Sequence, residues 1–253
     1  MRFNLFIAVL FLGYIWPCSL FTQSIVGKVN YVINTKLDSD EISGEYCMYF
    51  NNTQSYVFNQ TMPAKGGLTW VNENNGIYKR GDPDGMPLYK NITENLSEQK
   101  VVLGTFNNFC ILQDTLPKIK WKMWPEYKTI AKYQVQKATG FYGGRIYDVW
   151  FTMDIPVSHG PFRLHGLPGL ILEANSRDNK IKVEFKKIEF SNEYSPYIVA
   201  LHDKIAFEVL NYKDYIIKRK IMEDKLALLI NGDGAKLTTR DNTKDYQVEK
   251  DYY

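Results

Sequence analysis

Along residues 28–35 apolar and polar positions alternate one by one. Val29, Tyr31 and Ile33 fall on one face, and Lys28, Asn30 and Asn34 on the other. A period of two is that of a strand buried on one side. Two further runs, 45–50 and 54–58, flank Asn51-Asn52 and predict a hairpin. Between 61 and 95, Pro63, Gly66-Gly67, Asn74-Asn75-Gly76 and the stretch 81–85 are turn signals. They separate short pieces at 76–80 and 86–90, which read as meandering strands on long connections. From residue 100 the pattern sharpens. Apolar runs stand at 101–103 and 109–112, alternation at 119–124, a turn at Pro125-Glu126, and alternation again over 127–138. Gly140, Gly143 and Gly144 mark a bend before a strand at 145–152. The run 180–190 holds Ile181, Val183 and Phe185 in one phase, then Ile188 and Phe190 in the other. A slip of one residue predicts a β-bulge, which bends a strand as a curved sheet needs. Only 203–229 changes period. Ile205, Val209, Tyr212 and Ile216 recur at helical spacing, with Asp203 as N-cap and Gly232 as stop.

The densest run of shape-setting residues is 154–174. Asp154, Pro156, Gly160, Pro161, Gly166, Pro168 and Gly169 set the path of a loop that turns directly into the apolar run Leu170-Ile171-Leu172. The expectation is a shaped loop feeding a buried strand. Trp150, Phe162, Leu164, Leu167 and Leu170 meet over one face of the sheet and are the candidate walls of an apolar ligand pocket; the alternative for each is plain core. Arg145 at the glycine bend is expected to pair with Asp154 and fix the loop.

Other chemistry is sparse. Of three histidines, Ser158 beside His159 makes no nucleophile–base pair, because neighbours on extended backbone point apart. No GxSxG elbow is present. Asp154, His159 and His165 could fold onto zinc or copper, but H-x5-H lies outside the usual ligand pairs, so no metal and no cofactor is expected.

Composition changes the picture in three places. The twelve-residue apolar stretch 5–16 behind Arg2 is too short for the ~20 residues of a membrane span. It predicts a secretory signal over 1–22, leaving no transmembrane helix in the mature chain. The formal charge is +3, with no basic stripe among stacking aromatics, which excludes a nucleic-acid partner. Cys47 and Cys110 remain after cleavage, an even count that permits one disulfide; two buried thiols are the alternative. The polar tail 231–253 predicts disorder. A single β-rich domain then spans 23–230.

Gly166-Leu167-Pro168-Gly169-Leu170-Ile171 resembles the hallmark of the GLPGLI family, exported proteins of the Bacteroidetes and relatives with no established activity. Trp121, Lys128, Ile130, Tyr133, Lys137-Ala138, Gly144-Arg145, Trp150-Phe151-Thr152, 154–157, 160–162, His165 and Glu173 fit the same pattern. Where the family often has a cysteine before its Lys-Ala pair this chain has Val135-Gln136, so no role for that cysteine carries over. The resemblance implies a location in the periplasm or at the outer-membrane periphery. Together with the strand order it implies a mainly β (α+β) fold: a curved antiparallel sheet or half-barrel, similar to periplasmic lipoprotein carriers, with a C-terminal helix. The function expected is a non-enzymatic binder of an apolar or amphipathic ligand. Docking to an outer-membrane transporter or other envelope partner is the alternative, and a metal-dependent or hydrolytic enzyme the third.

Overall fold

The computed structural model describes residues 24–37, 40–61, 68–72, 76–80, 85–103 and 108–231. The signal segment and nearly all of the expected disordered tail lie outside these. The described residues form fourteen strands: β1 (Gly27–Leu37), β2 (Asp40–Phe50), β3 (Gln54–Asn59), β4 (Leu68–Asn72), β5 (Gly76–Arg80), β6 (Leu88–Asn91), β7 (Leu96–Val102), β8 (Phe109–Thr115), β9 (Lys122–Ile130), β10 (Tyr133–Tyr142), β11 (Arg145–Thr152), β12 (Leu170–Ser176), β13 (Ile181–Phe190) and β14 (Val209–Leu210). β4 and β5 pair with each other. The other twelve make one sheet in the order β14-β8-β7-β6-β3-β2-β1-β13-β12-β11-β10-β9. All its pairs are antiparallel except β14 with β8.

The curvature follows from this order. Ten strand spacings separate β8 from β9, about 48 Å if the sheet were flat. The chain passes from Thr115 to Lys122 between them, a reach of at most about 25 Å. The sheet therefore curls until its flanks approach, as an open, curved sheet. A bulge contributes at the centre: Tyr31 pairs with Phe185 but Asn30 with Lys187, leaving Lys186 unmatched where the apolar phase slips.

Val29, Tyr31 and Ile33 are buried, as their alternation requires. They join Met48, Phe50, Val57, Leu88, Val135, Val149 and Leu172 in the main core on the concave face. Tyr56 and Tyr89 alternate with Val57 and Leu88 and so face the other side. There a 3-10 turn (Asn192–Tyr197) and α1 (Leu201–Lys204) cover them, with Ile198 and Leu201 buried in a second cluster.

Two boundaries differ from the sequence reading. Pro125 does not end a strand; β9 runs through it because β9 is the sheet edge and its register with β10 shifts there, so residues 124–126 have no ladder partner and a missing N–H removes no ladder bond. The hairpin turns instead at Ala131, with φ 52°. The C-terminal helix begins later than residue 203. Val209 and Leu210 extend along β8, and Asn211 caps α2 (Tyr212–Asn231), its Oδ1 accepting from Asp214 N at 2.9 Å.

Candidate functional site

Residues 153–169 leave β11 and return as β12, folded back on themselves over the concave face. The segment builds its own scaffold first. Ser158 Oγ donates to Leu167 O at 2.6 Å, Leu164 N to Pro161 O at 3.1 Å and Ile171 N to His159 O at 3.0 Å. His159 and His165 face each other in an isolated bridge. Gly166 turns the chain at φ 95°, a region that disfavours any side chain. Gly169 is required by space: a Cβ there would lie 2.0 Å from Thr152 O.

Side chains then tie the segment, and the strand it enters, to the rest of the molecule. Tyr31 Oη on β1 donates to Ile171 O at 2.8 Å. Trp121 Nε1 donates to His165 O at 2.8 Å. Lys90 on β6 donates from Nζ to Gly160 O at 2.8 Å and Leu164 O at 3.3 Å. Arg163 Nη2 donates to Gln99 Oε1 on β7 at 3.2 Å. His159 Nε2 lies 3.1 Å from Asn51 O. A carbonyl only accepts, so Nε2 carries the proton and the buried Nδ1, which has no partner, is a bare acceptor.

Four nitrogen-bearing side chains thus gather between the sheet and the segment, Lys90 from β6 and His159, Arg163 and His165 from the segment. Lys90 and His159 are wholly buried, Arg163 and His165 nearly so. Burial, with the Arg163 charge adding to it, brings the Lys90 ammonium down to about 7. Burial, then the Lys90 charge, holds His159 well below the usual imidazole range. Burial brings His165 to about 4 against the opposing bond to Arg163 O. Among the described residues, no carboxylate is paired with Lys90.

The sequence-derived candidates divide. Leu164, Leu167 and Leu170 are buried in the main core, and Phe162 packs edge-to-face on Tyr46 at 5.2 Å. Trp150 is only partly buried and sits beneath Lys128 Nζ, 4.5 Å away, while Lys128 pairs with Glu173. The segment fills the concave face where an open hollow was expected. Two cavities lie elsewhere, and none of these five residues lines either. Arg145 does not pair with Asp154; its Nε meets Asp178 at 2.9 Å across the β12–β13 turn, and Asp154 is exposed. Asp154, His159 and His165 do not assemble: both rings are engaged with backbone carbonyls. Among the described residues no group of three His, Cys, Asp or Glu side chains is placed to hold an ion. Cys47 and Cys110 are buried free thiols. They sit four strands apart, about 19 Å, beyond the ~7 Å Cα limit of a disulfide.

Lys90, Ser55, Glu98 and His202 were not singled out from sequence. Lys90 shares a strand face with Leu88, and that phase was its one available signal. Glu98 is wholly buried, accepting from Leu201 N at 2.7 Å, Gln113 Nε2 at 2.9 Å and His202 Nδ1 at 2.5 Å. These bonds pin α1 to the sheet beside a cavity of about 330 Å³ lined by Tyr89, Asn91, Glu94 and His202 among others.

Residues 144–173 match the model of a family described as a protein of unknown function (Porph_ging), which bears out the family resemblance at the stretch holding the hexapeptide. No curated protein matches the chain. Among solved structures it is similar to PNGF-II in two crystal forms. The identities are 20% and 18% and the TM-scores 0.51 and 0.53, each over 77% of this chain. The chain spans about a third of the length of those proteins, 33% and 34%. A LolA superfamily protein from Nitrosomonas europaea aligns at 9% identity and TM-score 0.32, over 70% of this chain and 91% of that one. No helix among the described residues is long and apolar enough to cross a membrane.

Proposed function

We propose that this chain, which carries the Porph_ging family segment at 144–173, is an exported, non-enzymatic binder of a long-chain amphipathic molecule. The ligand would take the place that residues 153–169 occupy on the concave face. One observation carries the reading. That face is lined by Val29, Tyr31, Met48, Phe50, Val57 and Leu88, and besides two backbone bonds from Leu170 and Ile171 its cover is tied down by side-chain bonds at Lys90, Trp121 and Arg163. Such bonds exchange with water at little net cost, each worth roughly 1 kcal/mol.

What opposes opening is apolar burial. Ile155, Val157, Leu164 and Leu167 would lose their packing, roughly 6–12 kcal/mol at about 1.5–3 each. A ligand must restore that much. At about 0.8 kcal/mol per methylene, it needs roughly 8–15 methylenes. That arithmetic favours a long chain over a short or compact apolar molecule.

Protein purified from its own host, extracted with organic solvent and analysed by mass spectrometry, should yield a long-chain species in near-stoichiometric amount. An empty extract, together with no uptake of any C12–C18 amphiphile in vitro, refutes the reading. Docking to an envelope partner is the second reading. Exposed Ile216, Ile217, Ile221 and Leu228 on α2 favour it. Recovery of an outer-membrane protein by the wild type but not by Ile217→Glu would support docking in its place.

A further inference from the structure

Polar side chains are few on the concave face, and three of them lie along one line. Ser55 on β3 and Ser97 on β7 are the residues directly opposite Lys90 on β6, so the three side chains share one face. All three are wholly buried. Ser55 Oγ has no hydrogen-bond partner, and Ser97 Oγ makes one long bond of 3.4 Å to Asp114 O. A buried ammonium meeting only two neutral carbonyls, beside a hydroxyl with nothing to donate to, is a poor arrangement for stability. Uncompensated polar groups in such surroundings cost free energy. Its acceptors, Gly160 O and Leu164 O, both belong to the segment. If the segment leaves, Lys90 loses both of these acceptors.

We infer that Lys90 and Ser55 form the headgroup seat of the ligand, and that the ligand is a long-chain carboxylate. This rests on the binding function proposed above. The two carbonyl oxygens at Lys90 stand in for the two oxygens of a carboxylate. A single negative charge neutralises Lys90, and Ser55 Oγ gains the acceptor it lacks. Arg163, His159 and His165, the other titratable groups near Lys90, all lie on the segment and withdraw with it. One cation therefore faces one anion. The carboxylate adds the attraction of a full opposite charge, stronger in buried surroundings than in water, to the hydrogen bonds it takes over, which offsets the loss of both carbonyl bonds.

The test compares palmitate with methyl palmitate, and uses Trp121 fluorescence to follow release of the segment through its bond to His165 O. Wild-type protein is expected to bind the acid at least tenfold more tightly than the ester. Lys90→Met should bring the two to equal affinity, and Ser55→Ala should weaken the acid several-fold while leaving the ester unchanged. An ester bound as tightly as the acid by the wild type overturns the inference and leaves the binding function standing. So does an acid preference that survives in Lys90→Met. If neither compound binds, the headgroup seat is overturned, and the proposed function fails with it when the host extract is also empty and no other C12–C18 amphiphile is taken up. The wild-type comparison decides the matter even if Lys90→Met does not fold.

Discussion

Replacing Gly169 by alanine tests whether the hexapeptide is internal architecture or a recognition surface. The new Cβ would lie 2.0 Å from Thr152 O and 2.6 Å from Thr152 C. Both are backbone atoms of β11, so no side-chain rotation relieves the clash. Thr152 pairs with Leu170, the first residue of β12, and the two strands must separate there by more than an ångström. The loss includes one or two ladder bonds, about 1 kcal/mol each, and part of the burial of Leu170 and Ile171, roughly 1.5–3 kcal/mol per side chain. A destabilisation of about 3–5 kcal/mol is expected, a large share of the ~5–15 kcal/mol typical of a domain. Gly166→Ala is the control. Its Cβ would meet nothing nearer than Trp121 Nε1 at 3.6 Å, so it bears only the cost of φ 95°, about 1–2 kcal/mol. Urea denaturation followed by tryptophan fluorescence and by circular dichroism measures both. If Gly169→Ala loses less than about 1 kcal/mol, or less than Gly166→Ala, the packing argument is wrong.

Acid should destabilise the protein before its carboxylates titrate. Between pH 6.5 and 4, unfolded histidines take up protons while buried His159 and His165 stay neutral. The unfolded state binds more protons, so stability falls with pH. The displacement of His165 from 6.5 to about 4 corresponds to about 3 kcal/mol. His202, raised by its bond to Glu98, acts in the opposite sense, because its contribution is present in acid and lost as pH rises. Urea midpoints that stay flat from pH 6.5 to 4.5 would contradict this. On the alkaline side, Lys90 titrates near 7 folded against 10.5 unfolded. Its unfavourable charge is shed above 7, and stability should climb towards pH 10 by up to about 1.4 kcal/mol per pH unit. Lys90→Met should abolish that climb. Burial raises the thiols of Cys47 and Cys110 to about 11, so both should resist a thiol reagent in the native state and react fully in urea without reductant. Failure to label them in urea would restore the disulfide.

Local patterns determined much of this protein. Alternation at Val29, Tyr31 and Ile33 marked the central strand, because a sheet buried on one face imposes a period of two. The slip between Phe185 and Ile188 located the bulge, because one extra residue inverts every later side chain. The hexapeptide stood out because only proline and glycine specify such a backbone path. What could not be read locally was anything set by long-range neighbours. Pro125 looked like a turn until β9 was placed at the edge of the sheet. Val209 fitted a helical spacing until β8 offered it an unpaired edge. Arg145 found Asp178, not Asp154, because the next hairpin brings that carboxylate closer. The phase it shares with Leu88 hints that Lys90 is buried, but nothing local says that its ammonium will sit beneath Gly160 and Leu164, 70 and 74 residues away. Sequence separation says nothing of distance through a curled sheet, and burial decides whether a lysine is a solvated charge or an enclosed donor to a loop's carbonyls.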